Sequence, residues 1–120
     1  MTKTIMIIDD DESLLTLVGK ILRRESLTSI KAPNAEIALS LVEAINVDLF
    51  IIDIMMPIID GFELCRILRQ DSRTANIPIV MLSIRDDPKS INESLIAGAN
   101  TFISKKSICS NLSTAVHSLL

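Results

Sequence analysis

Leu49-Phe50-Ile51-Ile52-Asp53-Ile54-Met55-Met56-Pro57-Ile58-Ile59-Asp60-Gly61 is the stretch whose reading decides the fold. It begins as an apolar, mostly branched run and ends that run on one carboxylate, Asp53. Such a run fits a strand buried on both faces, as in a parallel sheet, where polar alternation is not needed. Asp53 then stands at the strand's C-terminal end, the edge at which open α/β sheets place ligands and chemistry. Pro57 ends regular structure, and Asp60-Gly61 is a turn signal. An aspartate that merely marks a strand end is the competing reading, and the rest of the chain decides between the two.

Outward from this stretch, apolar runs alternate with helical patterns. Thr4 to Ile8 reads as a first strand, followed by Asp9-Asp10-Asp11. Glu12 to Glu25 reads as a helix, with Leu14, Leu17, Val18, Ile21 and Leu22 on one face at spacings of three and four. Leu27 to Ala32 is a weaker strand, and Asn34 is placed to cap a helix from Ala35 to Ile45 buried through Leu39, Val42 and either Ile45 or Leu41. Beyond Leu49–Asp53, a helix is expected from about Gly61 to Gln70 with Leu64, Ile67 and Leu68 inward. A strand follows over Ile79 to Ser83. Asp87-Pro88 signals a helix start, with the helix ending at Gly98. Thr101 to Ser104 is a short strand, and Ser107 is placed to cap a final helix, Ile108 to Leu119. Alternation of five strands and five helices implies an α/β fold with a parallel sheet. Right-handed crossovers with helices on both faces make it a doubly wound sandwich, for which strand order 2-1-3-4-5 is favoured.

Composition narrows the function classes. A length of 120 residues fits one domain spanning residues 1–120. Hydrophobic residues make up 48%, enough for a core, while aromatics are only Phe50, Phe62 and Phe102, so that core is aliphatic. A net charge of -3 without clustered Lys and Arg argues against direct nucleic-acid binding. Cys65 and Cys109 match no metal or redox spacing and read as reduced, partly buried side chains. No apolar run reaches the roughly 18 residues of a membrane span. Met1-Thr2-Lys3-Thr4 leads straight into a strand, so no signal peptide and a cytoplasmic location are expected.

The expected sheet brings several polar residues to one edge. Asp9 and Asp10 follow strand 1, Asp53 ends strand 3, Ser83 ends strand 4, and Lys105 follows strand 5. Order 2-1-3-4-5 makes those four strands successive neighbours, with the switch point between strands 1 and 3. Three carboxylates brought that close repel one another, and a hard divalent cation relieves the repulsion; an all-oxygen set with few protein ligands suits Mg²⁺. A carboxylate nucleophile, Mg²⁺, a lysine and a hydroxyl together suit phosphoryl transfer by positioning and electrostatics. Asp11 is the residue expected to cap the first helix, leaving Asp9 and Asp10 for the pocket.

At this point the chain resembles the receiver domain of two-component response regulators, similar to the chemotaxis response regulator, along its whole length, and the resemblance implies a flavodoxin-like fold. The carriers are Ile7-Ile8-Asp9-Asp10-Asp11-Glu12, the segment Asp53 to Gly61, Ser83, and Ala97-Gly98-Ala99-Asn100 leading to Phe102 and Lys105. The resemblance implies that Asp53 is the phosphoacceptor. It implies that Asp10 and Asp53 hold Mg²⁺ directly, Asp9 largely through water, with the backbone carbonyl of Met55 as a further ligand. Ser83 and Lys105 are implied to hold phosphoryl oxygens, and Phe102 to change rotamer as Ser83 moves, although Phe102 also reads as plain core. The implied function is a signalling switch. Its phosphoryl group comes from a sensor histidine kinase or phosphotransfer protein. Its output leaves through the helix 4–strand 5–helix 5 face to an output domain or partner protein. No membrane partner is implied, and no enzyme activity beyond the chain's own phosphorylation and dephosphorylation.

The chain departs from the family's usual pattern at three positions: Lys106 where Pro is usual, Ile58 where Gly is common, and Ile84 where a small residue is usual. The resemblance implies that the positions two residues beyond Asp53 and two beyond Ser83, here Met55 and Arg85, influence water attack on the phosphorylated form. Arg85 is expected either to cover the pocket or to pair with an acid such as Asp86. His117, the single histidine, reads as an ordinary surface residue. Two other functions compete: a Mg²⁺-dependent small-molecule phosphohydrolase, disfavoured because Met55 stands where a second catalytic aspartate is needed, and a non-phosphorylated interaction module, disfavoured by the intact polar set.

Overall fold

The apolar run at the middle of the chain is the middle of the sheet. In the computed structural model, which describes residues 2–120, Leu49–Asp53 forms a strand, β3, with all five residues buried. Branched side chains favour this pleated, two-sided burial. The other strands are β1 (Thr4–Ile8), β2 (Thr28–Ala32), β4 (Ile79–Ser83) and β5 (Thr101–Ser104). All pair in parallel in the order β2-β1-β3-β4-β5. The helices are α1 (Glu12–Arg24), α2 (Ala35–Val42), α3 (Gly61–Gln70), α4 (Pro88–Ala97) and α5 (Ile108–Leu119). The α/β class, strand order and helix count expected from the sequence are those observed.

Two apolar layers sandwich the sheet. Ile5, Ile7, Leu49, Ile51, Val80 and Leu82 face α1 and α5, while Met6, Ile8, Phe50, Ile52, Ile79 and Met81 face α2, α3 and α4. Side chains of successive strand residues point to opposite faces, so one uninterrupted apolar run serves both layers. Each fully buried Leu, Ile or Phe contributes roughly 1.5–3 kcal/mol.

Local chemistry sets most helix ends. Asp11 Oδ1 accepts from the backbone N–H of Ser13 at 3.0 Å and of Leu14 at 3.4 Å. Asn34 caps α2 through the N–H of Ile37, Asp60 caps α3 through that of Glu63, and Asp87 caps α4 through that of Ser90. Each cap satisfies a donor that the first turn leaves unpaired. Gly98 ends α4 at φ +116°, a conformation that side chains oppose.

Several finer expectations are corrected. On α1 the expected Val18 and Leu22 are buried and Leu14 and Ile21 pack against them, but Leu17 is exposed and Leu15 is buried in its place. Helix α2 ends at Val42, short of the expected Ile45; the expected Leu39, Val42, Ile45 and Leu41 do pack against the core, partly buried, and Ala35 and Ala38 are buried beside them. In α3, Phe62 and Cys65 lie inside in place of Ile67. Cys109 is exposed. Ser107 makes no side-chain cap; Ser104 instead caps a 3₁₀ turn over Lys105–Ser107 that precedes α5.

Helix α4 is dressed in reverse. Its buried residues are Ser90, Ser94 and Ala97, whereas Leu95 and Ile96 are 47% and 75% exposed. The two serines close their hydroxyls locally, Ser90 onto Asp87 Oδ1 at 2.8 Å and Ser94 onto the Ser90 carbonyl at 2.9 Å. Little apolar area holds this helix to the sheet.

Arg69 at the end of α3 joins the loops at the opposite edge of the sheet. Its guanidinium donates to the carbonyls of Gly98 at 2.9 Å, Ala75 at 3.2 Å and Ile77 at 2.6 Å, and to Asn100 Oδ1 at 2.9 Å. Asn100 Oδ1 also accepts the N–H of Ile79, the first residue of β4. The C-terminal end of α4 is thereby fixed to α3.

Ile58 carries backbone strain. It sits at φ +71° with 86% of its surface exposed. A β-branched residue in this region is unfavourable by about 1–2 kcal/mol, and so exposed a side chain recovers little by packing. Ile58→Gly is expected to stabilise the fold by about 0.5–1 kcal/mol, the relief being partly offset by the freer unfolded chain. Urea denaturation checks this; a loss of stability would mean that Ile58 packs more than its exposure indicates.

Candidate functional site

The polar residues named from the sequence meet at the C-terminal edge of the sheet. Asp9 follows β1, Asp53 ends β3, Ser83 ends β4 and Lys105 follows β5. The β1–β3 register pairs Ile8 with Ile52, so the next residues, Asp9 and Asp53, leave the sheet side by side. Both are buried, whereas Asp10 is exposed. Carboxylate oxygens of Asp9, Asp10 and Asp53 all lie within 4.8 Å of one another.

Lys105 reaches into this group. Its ammonium is 2.9 Å from Asp9 Oδ2 and 3.5 Å from Asp53 Oδ1. Asp9 Oδ1 accepts the N–H of Asp11 at 2.9 Å. Asp9 Oδ2 is fully enclosed and, despite the nearby ammonium, has no well-directed hydrogen bond. One cation therefore serves two buried carboxylates, and one buried oxygen lacks an aligned donor. That is a strong electrostatic demand for further positive charge. Three hard oxygen donors, one of them facing solvent, fit Mg²⁺, which keeps several waters when bound. Asp9, Asp10 and Asp53 are the side chains that would hold it.

Titration follows from this crowding. Burial, then the neighbouring Asp9 charge, push the Asp53 carboxyl up to about 7; Lys105 and the Met55 backbone offset only part of that. Burial likewise raises Asp9, against the Asp11 N–H and Lys105. Burial by itself would lower Lys105, but Asp9 and Asp53 outweigh it and hold the ammonium above its ordinary value.

The chain must fold tightly beneath Asp53. Gly61 N–H donates to the Ile54 carbonyl at 2.8 Å. A Cβ on Gly61 would lie 2.3 Å from the Asp53 carbonyl oxygen, so the turn closes against β3 only without a side chain there. Met55 is half exposed in the loop beyond Asp53.

Ser83 is buried, and its Oγ accepts the Arg85 N–H at 3.1 Å. The Arg85 side chain is exposed, and Asp86 is not its partner: Asp86 Oδ2 accepts the Ser104 hydroxyl at 2.9 Å and lies 3.6 Å from the Lys106 ammonium. Asp86 was missed in the sequence as a member of this edge, because its partners lie 18 and 20 residues away in another loop. Phe102 is half-buried and packs on the α2–α3–α4 side of the core. His117 is exposed, 2.7 Å from Glu25, far from the pocket elements.

The family profile of the response regulator receiver domain matches residues 5–117. The heme response regulator HssR of Staphylococcus saprophyticus is 38% identical over 102 residues, which are 85% of this chain and 44% of that protein. The chain thus spans less than half of that relative's length. Among solved structures, the chemotaxis protein CheY4 of Vibrio cholerae superposes with a TM-score of 0.93 at 24% identity, covering 100% of both chains, which is a likeness of fold. The response regulator TrrA of Thermotoga maritima, solved in complex with Mg²⁺ and BeF, superposes at 0.88 with 29% identity, covering 99% of this chain and 100% of that one. No helix among the described residues is long and apolar enough to cross a membrane.

The raised Asp53 value has a definite consequence for stability. Between the ordinary carboxylate value of 3.8 and about 7, the folded chain keeps a proton that the unfolded chain has lost. In chelator, folding stability is therefore expected to fall as pH rises through that window, on the order of 2–4 kcal/mol from this group. Asp53→Asn should flatten the fall and be the more stable protein at pH 7.5. Denaturation midpoints across pH check it; a stability that rises through the window would contradict the placement of these charges.

Proposed function

The chain belongs to the response regulator receiver domain family, and from that we propose that it is a phosphoacceptor switch in which Asp53 receives a phosphoryl group from a histidine kinase or phosphotransfer protein. The observation that carries the proposal is the pocket itself: two buried carboxylates on adjacent strands share one lysine, with a solvent-facing third acid beside them. Residues 1–120 would act as the receiver unit, and its output domain or partner protein belongs to the same proposal.

An ionised Asp53 oxygen attacks phosphorus, while the bond to the donor's leaving atom breaks and its electron pair leaves with the donor. Lys105 favours the ionised form of Asp53, offsetting part of the effect of burial and of Asp9, and pairs with a phosphoryl oxygen. Ser83 turns its hydroxyl from its local contact toward another phosphoryl oxygen. Asp10, Asp53 and the Met55 carbonyl would hold Mg²⁺, with Asp9 acting largely through water, and the ion would supply charge neutralisation for the acids and the transferred group. Movement of Ser83 draws on Phe102 and reaches α4, β5 and α5. The serine-lined underside of α4 supports this route, since little apolar packing must be broken to move that helix. The role is signalling; turnover is confined to the chain's own phosphorylation and hydrolysis.

Incubation with acetyl phosphate and Mg²⁺ is expected to add one phosphoryl mass to the native chain and none to Asp53→Asn. An undiminished gain in that variant, or a full gain in excess chelator, would refute the assignment.

Lifetime of the phosphorylated form follows from two neighbours of the pocket. Met55 offers only a weak thioether acceptor, and Arg85 has donors but no acceptor, so neither can take a proton from attacking water. Slow hydrolysis is expected, and Met55→Asn should speed it several-fold. Decay measured by intact mass in excess Mg²⁺ decides it: a rapid decay unchanged by Met55→Asn would show that other groups set the rate.

A further inference from the structure

Lys105 does its work from a short turn, and that turn is held by residues from another loop. The 3₁₀ turn over Lys105–Ser107 starts from Ser104, whose Oγ accepts the Lys106 N–H at 3.2 Å. A hydroxyl has a single proton to donate. Ser104 gives its proton to Asp86 Oδ2 at 2.9 Å, which leaves its lone pairs directed toward the Lys106 amide. The Lys106 ammonium lies 3.6 Å from the same Asp86 oxygen. Asp86 thus grips the residues on both sides of Lys105.

Asp86 belongs to the segment between Ser83 and α4. Two residues before α4 begins, it lies between Arg85, whose N–H is held by Ser83 Oγ, and Asp87, which caps α4. The two pocket residues not carried by carboxylates, Ser83 and Lys105, are therefore tied together through one side chain. A hydrogen bond from a hydroxyl to a carboxylate is roughly twice as strong as a neutral one. The ammonium pair is more exposed and adds little. The grip rests chiefly on the hydroxyl.

We infer that Asp86 is a positioning residue for the pocket: through Ser104 it fixes the turn that carries Lys105 and couples that turn to the loop after Ser83. The inference builds on the phosphoacceptor reading, but its geometry is independent of it. Lys105 is the only described cation paired with Asp9 and Asp53. A loosened turn spreads its ammonium over positions that no longer serve both acids, and phosphoryl transfer depends on such placement.

The test is a double-mutant cycle. Asp86→Ala is expected to slow labelling by acetyl phosphate at saturating donor and Mg²⁺ about three- to tenfold. Asp86→Asn, whose amide oxygen still accepts the Ser104 hydroxyl, should retain most of the rate, and Lys106→Ala should be nearly native. In a Lys105→Ala background, Asp86→Ala should add no further loss, because its effect passes through Lys105. An equal loss with and without Lys105, or a native rate in Asp86→Ala, would overturn the inference. If Asp86→Ala does not fold, Ser104→Ala against Ser104→Thr makes the same comparison. The ¹⁵N resonance of the Lys105 ammonium, recorded without donor, separates this idea from the phosphoacceptor reading. It should shift or broaden in Asp86→Ala and not in Asp86→Asn, whether or not the native chain gains mass. A resonance unchanged in Asp86→Ala would refute the positioning role even if labelling at Asp53 succeeds.

Discussion

Two carboxylates forced together by a sheet are the constraint on which the functional edge depends. Asp9 and Asp53 follow paired residues of adjacent parallel strands, and the hydrogen-bonded ladder between β1 and β3 keeps them there. Water is largely excluded from both. Removing charge from water and setting like charges side by side both favour the protonated form, and one lysine relieves only part of that. The unfavourable charge is tolerated because the ladder and the two apolar layers beneath it do not yield. A pocket in this state favours any added positive charge, and Asp10 at its open rim gives such a charge a way in.

The scaffold around the pocket is uneven in stiffness. Gly61 folds the loop after β3 hard against the Asp53 backbone, leaving no space for a side chain. At the far edge of the sheet, Arg69 ties α3, the following loop and the end of α4 through charge-assisted bonds to carbonyls. Ahead of its tied end, α4 has serine and alanine beneath it and leucine and isoleucine outside. A helix anchored at its C-terminal end and lightly packed along its length is well suited to shift without unfolding the sheet. This matches the direction in which the proposed switch would transmit.

Much of the helical detail was beyond the sequence. Leu14, Leu15 and Leu17 allow more than one buried stripe, and only packing against the sheet and α5 buries Leu15 and leaves Leu17 outside. Ala35 and Ala38 carry no strong hydrophobic signal, yet they are the fully buried residues of α2. Ser107 looked like a cap by residue type, but the 3₁₀ turn placed Ser104 in that role for the residues before it. In each case the deciding fact is a distance between elements, which periodicity along the chain does not encode.

The sequence by itself determined the five strands, their order and the edge at which Asp9, Asp10, Asp53, Ser83 and Lys105 gather. These follow from local signals: uninterrupted branched runs, caps such as Asp11, Asn34 and Asp87, and the rule that parallel crossovers place strand C-termini together. Only the tertiary structure decided how the charges share that edge. It put one ammonium within 2.9 Å of Asp9 and 3.5 Å of Asp53, left Asp10 at the surface, and joined Asp86 to Ser104 and Lys106 rather than to its neighbour Arg85. The physical reason is range. Strand and helix preferences are read within a few residues, whereas ion pairs and hydrogen bonds between loops depend on through-space distances of a few ångströms. Those distances are set only once every layer has packed.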